Sequence, residues 1–212
     1  MTQHTLVDLI AWLADNKYML GRRFSEWTNR APALEAAVAA AAMAQDELGH
    51  ARSLYAALRN VPDAPEAYLN EEKRERLAHL PLLNQPFEHW ADFVAASALF
   101  DRALTLVFEA ARESTYAPLR QRAAKILQEE RFHRQYGEGW LKKMANDKAT
   151  YDSMQTAVDR LWSATGEWLG TGYNGEIVAN KILAQSAADA QAQWINESQA
   201  LLTKCGLTVN EQ

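Results

Sequence analysis

The sequence predicts an all-α protein whose centre is a four-helix bundle. Apolar residues recur at helical spacing along nearly all of the chain, and the period-two clusters of β-branched residues that would mark strands are missing. Two short connections and one long one separate four segments of roughly 25–30 residues, which suits a bundle with one crossover.

The first helix is expected from about Thr5 to Asn29. Pro32 fits the first turn of a second, which continues through the alanine-rich "ALEAAVAAAA" to about Arg59 with no breaker. The stretch "NVPDAPEAYLNEEKRERLAHLPLLNQP" holds four of the six prolines and reads as a long crossover with a short helix inside it. Helix three should run from about Phe87 to Glu113 and helix four from about Pro118 to Met144. Two more, about Tyr151–Leu169 and Asn180–Thr203, would pack on the outside. This is the ferritin-like plan, and residues 1–212 are expected to form one domain because no Pro/Gly/Ser-rich linker divides them.

Composition narrows the functional classes. With 22 basic and 27 acidic residues and a net charge of −5, the chain lacks the basic footprint that nucleic acid or an anionic membrane favours. Its single cysteine, Cys205, forms no internal disulfide. The opening "MTQHTLVDLIAWLADN" places Asp8 and Asp15 where a signal peptide needs an uncharged run, and no stretch of about 18 apolar residues could span a membrane. A soluble, cytoplasmic protein working on small molecules or with other proteins is expected.

Two of the five histidines lie deep in predicted helices, each three residues after a glutamate: Glu47 and His50 in "DELGH", Glu130 and His133 in "EERFH". In a bundle, a Glu-x-x-His pair sets an oxygen and a nitrogen ligand on one inward face, and two such helices can hold two divalent metals between them. That geometry also asks for one carboxylate from each partner helix. Asp101 supplies one, sharing its face with Ala98, Leu104 and Phe108, 29 residues before Glu130. The same half-repeat puts the other at position 17 or 18, where Lys17 and Tyr18 stand.

Lys17 falls on the stripe of Ile10, Leu13, Leu20, Gly21 and Phe24, so packing should bury its ammonium. A buried ammonium must be paired or lose its proton, and Glu47, Glu130 and Asp101 are the available partners. Glu26 is nine residues on, roughly 13 Å along the helix, and Asp15 points to another face. Two readings stand. In one, five ligands (Glu47, His50, Asp101, Glu130, His133) hold one or two metals; in the other, Lys17 fills the vacated seat and the site is an ion-pair network. Carboxylate-rich ligation with two imidazoles suits iron, with manganese as the alternative.

The stretches "RAPALEAAVAAAAMAQDELGHARSLY", "HWADFVAASALFD" and "KILQEERFHRQYGEGWL" resemble the bacterial phenylacetyl-CoA epoxidase family, and the end, "WINESQALLTKCGLTVNE", is similar to that family's closing helix and strand-like tail. For an oxygenating subunit the resemblance implies a di-iron site, reduced by a separate reductase, that activates O2 and inserts oxygen into the aromatic ring of a CoA thioester. Glu47, His50, Asp101, Glu130 and His133 fall on ligand positions of that pattern, and Lys17 falls where it has its first Glu. For an accessory subunit it implies the same fold with ligands lost and a scaffolding role beside a catalytic partner. Around "LADNKYMLGRRFSEW" the chain looks like the accessory branch; in helices two to four it keeps the catalytic branch's ligands.

The leading expectation is therefore an iron-dependent oxygenase or hydroxylase working alone or in a homo- or hetero-oligomer. The alternative is a scaffold subunit in which Lys17 replaces the metal. Tyr18 is a candidate to hydrogen-bond a ligand, and Met43 and Leu54 to line a pocket, although core filling is the simpler role for both. The seven tryptophans are expected to pack helices, and His4, His79 and His89 to be solvated. The basic pairs Arg22/Arg23, Arg74/Arg76 and Lys142/Lys143 are candidates for a CoA phosphate but read equally as solvated faces.

Overall fold

A computed structural model describes residues 3–61, 64–68 and 76–209, with side chains omitted for 3–5 and 67. Among the described residues the chain is helical, without strands: α1 (Gln3–Ser25), α2 (Leu34–Leu58), α3 (Trp90–Ala95), α4 (Asp101–Ala110), α5 (Ala117–Ala145), α6 (Tyr151–Gly170), α7 (Gly175–Ala179) and α8 (Ala187–Lys204). It is a ferritin-like bundle with extra C-terminal helices. α1 and α2 form an antiparallel pair that faces α3, α4 and α5, while α6 and α8 cover the far side of α3 and α4. None of the described helices is long and apolar enough to cross a membrane.

Several boundaries differ from the sequence reading. The second helix starts at Leu34, so Pro32 precedes it instead of opening it. The helix expected from Asn180 starts at Ala187, because Ser186 Oγ accepts from the Asp189 amide and caps it there. Asn180 instead ends the short α7, and Lys181 takes a left-handed φ of 57° that breaks the run. The closing tail, described to Val209, is coil and not strand-like. In the crossover the described residues hold two short 3-10 turns, Glu66–Tyr68 and Pro81–Asn84, while residues 69–75 of the stretch where a short helix was expected lie outside the described residues.

Helix three contains the largest departure. Between α3 and α4 the backbone widens into a π-helical turn, Ala96–Phe100. Such a turn inserts one residue and leaves carbonyls short of their usual partners. Here the Leu99 carbonyl accepts from Trp194 Nε1 of α8 at 2.9 Å. Gly137 of α5 lies against the turn so closely that a Cβ there would come within 2.6 Å of Ser97 Oγ. The turn directly precedes Asp101, so it sets that residue's position.

Burial joins these helices into one apolar core, and tryptophans link its layers as expected. Trp12 of α1 stacks on Trp168 of α6 at 4.3 Å, and Trp162 of α6 meets Trp194 at 4.7 Å. Buried polar groups on α1 anchor the crossover: Asp15 accepts from the Ala78 amide at 2.6 Å and from Tyr55 Oη, and Asn16 accepts from the Leu80 amide at 2.9 Å. Backbone groups that would otherwise lie unsatisfied against the bundle are thereby paired.

Candidate functional site

Helical spacing turns Lys17, Glu47, Asp101 and Glu130, one from each of α1, α2, α4 and α5, toward the bundle axis. All four are at most 2% exposed. Lys17 Nζ lies 2.6 Å from Asp101 Oδ1, 2.7 Å from Glu130 Oε1 and 3.0 Å from both oxygens of Glu47. Burial works against the ammonium's proton, but Asp101, Glu130 and Glu47 outweigh it, and the Lys17 pKa stands well above its ordinary 10.5. For Asp101 burial pushes the pKa up, yet Lys17 and His133 hold it well below the usual carboxylate range. Glu47, squeezed by burial and by Asp101, is raised despite Lys17.

The two histidines complete a nearly twofold arrangement. His133 of α5 sets Nδ1 3.1 Å from Glu47 Oε1 and 3.3 Å from Asp101 Oδ2, while its Nε2 meets Asp46 of α2 at 3.2 Å. His50 of α2 sets Nδ1 3.3 Å from Glu130 Oε1, and its Nε2 meets Glu129 of α5 at 2.6 Å. Each imidazole is thus clamped between an inner and an outer carboxylate of the opposite helix. His133 faces a carboxylate at each nitrogen, an arrangement that favours the ring donating from both, whereas His50 Nδ1 makes no hydrogen bond. Burial lowers the His133 pKa, but its bonds to Asp101, Asp46 and Glu47 raise it to about 12; His50 is raised in the same way by Glu130 and Glu47. Lys17 and His133 thus offset part of the charge of the inner carboxylates.

Asp46 and Glu129 were missed in the sequence. Each stands immediately before the glutamate of a Glu-x-x-His pair, so the signal was a doubled acid, "DE" and "EE". Tyr18 takes no part in the network; its half-buried ring faces the Arg22 guanidinium at 5.8 Å. Glu26 pairs with Arg23 at 2.8 Å, which turns Arg23 inward and away from any exposed basic pair. Leu54 is core, and Met43 lines a groove between α2 and α5. His89 is exposed and His79 half-buried against Asn84; Arg74 and the His4 side chain lie outside the described residues.

Donor atoms of Glu47, Asp101, Glu130 and His133 all lie within 4.8 Å of one another, a grouping that could hold a metal ion. The outer carboxylate behind each imidazole is likewise the support that metal-bound histidines receive. As folded, however, these donors fit an ammonium better than a metal pair. Three of the four already contact Lys17 Nζ.

The His133 clamp predicts a pH dependence. A folded pKa raised from 6.5 to about 12 contributes stability that is complete below 6.5 and is lost steadily as pH rises toward 12. The difference in unfolding free energy between the wild type and His133→Gln, from urea titrations, should be largest at about pH 6 and shrink through pH 9. A difference that is flat or grows with pH would contradict a charged His133.

The C subunit of the 1,2-phenylacetyl-CoA epoxidase of Escherichia coli (strain K12) is 29% identical over 94% of this chain and 82% of its own length. The A subunit of that epoxidase is 30% identical over 64% of this chain and 44% of its own length. The family described as phenylacetic acid catabolic protein matches residues 1–212, from end to end, and this chain belongs to it.

Proposed function

We propose that this chain is a structural, non-catalytic subunit of a phenylacetyl-CoA epoxidase-type assembly, in which Lys17 permanently occupies the seat that a metal takes in a catalytic homologue. The observation that carries the reading is Lys17 Nζ within 3.0 Å of Asp101, Glu130 and Glu47 at once. An ammonium held by three carboxylates offsets part of the buried negative charge without a metal and ties α1 to α2, α4 and α5. In this reading O2, the aromatic CoA-linked substrate, the reductase and the iron belong to a homologous partner subunit, and this chain supplies surface and rigidity.

A second reading, an iron-dependent oxygenase with an altered site, is favoured by the four donor atoms within 4.8 Å. One experiment separates the two. Protein is produced in iron-supplemented cells, purified without chelator and assayed for metal by mass spectrometry beside Lys17→Glu. The structural reading expects almost no iron in the wild type and about one or two ions per chain in the variant, whose fourth carboxylate rebuilds the set. About one or two irons per wild-type chain would overturn it in favour of the oxygenase. O2 consumption with aromatic CoA thioesters would then be the next assay.

A further inference from the structure

We infer that the cleft between α5 and α8, on the flank of α5 turned away from α2, binds a compact polyanion of the diphosphate class. The inference goes beyond the structural-subunit reading and does not depend on it.

The cleft has a volume of about 570 Å³ and is lined by Arg131, Arg134 and Lys142 of α5 and by Lys204 of α8. That volume lies within the roughly 300–1,000 Å³ of small-molecule sites. One acid, Glu138, faces the same space, and Arg134 Nε already holds it at 2.7 Å. The lining thus carries four cations against one carboxylate, in a chain whose net charge is −5. The local charge runs against the composition of the whole.

The chain's own acids do not answer these cations. Where the cleft continues along α8, Glu197 accepts from Arg102 Nε and Nη2 at 2.9 and 2.6 Å and from Gln193 at 2.9 Å. Arg102, only 8% exposed, also donates to Glu109 at 2.8 Å, so both of these carboxylates are committed to a buried guanidinium. Arg131, Lys142 and Lys204 are exposed and pair with no carboxylate among the described residues, and the two terminal nitrogens of Arg134 make no hydrogen bond there. Like charges gathered in one concave space repel one another, and an anion seated between them relieves the repulsion.

The donor set selects the anion. Two guanidinium groups offer parallel N–H donors to phosphate oxygens, and two ammonium groups add point charges. Arg131 and Lys142 leave α5 11 residues apart, about 16 Å along the axis, so linked phosphates engage both ends of the set where a single phosphate engages one. The rest of the lining, Gln135, Gly139, Leu201 and Cys205, holds no aromatic ring against which a nucleobase or aryl group could stack. Recognition is therefore of the charged group itself, either as free inorganic diphosphate or as the diphosphate of a larger molecule. Bound there, it ties α5 to α8 through cations of both helices.

The test titrates the full chain with inorganic diphosphate, ADP and inorganic phosphate by calorimetry at low ionic strength, without added divalent metal. Wild type should bind diphosphate or ADP at least about tenfold more tightly than phosphate, and its melting temperature should rise with the tighter of the two. Lys142→Gln combined with Lys204→Gln should weaken that binding at least about tenfold, whereas Lys125→Gln, on the other flank of α5, should leave it within about twofold. Tighter binding of diphosphate than of ADP assigns the site to the inorganic anion, and the reverse assigns it to a larger molecule; both support the inference. No binding of either compound to the wild type would overturn it. Binding that the double variant leaves unchanged, or that Lys125→Gln weakens equally, would overturn the cleft as its place. An oligoglutamate peptide that displaces both compounds with higher affinity would overturn the choice of ligand and make the cleft a contact for an acidic protein segment.

Discussion

Replacing Lys17 by methionine is expected to destabilise the protein by about 3–5 kcal/mol at pH 7.5, the range for breaking a buried ion pair from one side. Methionine fills much of the lysine's volume, so the loss is electrostatic and leaves no large cavity. Glu47, Asp101 and Glu130 would lose the ammonium that each meets within 3.0 Å, with only two imidazoles left to offset them. The penalty should depend on pH in a stated direction. Without Lys17, Glu47, already raised by burial and by Asp101, loses the cation that opposes that rise, so its contribution to stability is complete below about pH 4.5 and is lost as pH rises through its folded pKa. Urea unfolding at pH 5 and 7.5 should show the variant recovering part of its deficit at the lower pH. A loss below about 1 kcal/mol at pH 7.5 would mean that the ammonium is dispensable and that the acids are balanced in another way.

Trp194→Ala is the second large effect, about 3–5 kcal/mol, as for truncating a buried aromatic side chain. Trp194 is fully buried on α8, packs at a tilt against Trp162 and donates to the Leu99 carbonyl inside the π turn. Its loss would empty the α6–α8 contact and leave a buried carbonyl unsatisfied next to the residues that position Asp101. Trp194→Phe separates the two contributions, since it keeps most of the packing and removes only the donor; its cost should be about 1–3 kcal/mol. If Phe proves as costly as Ala, the hydrogen bond and not packing governs the turn.

The bundle and its charged centre were legible because both depend on local periodicity. Three-residue spacing set Glu47 beside His50 and Glu130 beside His133 on inward faces, and the stripe of Ile10, Leu13, Leu20 and Phe24 required Lys17 to be buried with them. Burying an ammonium among acids leaves ion pairing as the low-energy outcome, so its partners follow from the helical faces alone.

The π turn was not legible for the same reason in reverse. Every side chain from Trp90 to Phe108 is buried, so that segment has no polar face whose phase could record one inserted residue. The clamps from Asp46 to His133 and from Glu129 to His50 depend on how far α2 and α5 are rotated and offset against each other, which no single helix encodes. The same holds for Asp15 and Asn16, whose partners at Ala78 and Leu80 lie more than 60 residues away. Sequence by itself determined which groups must be buried together. Tertiary structure decided how their charges are shared, because hydrogen-bond geometry between separate helices fixes which atoms meet and which face is left open to a partner.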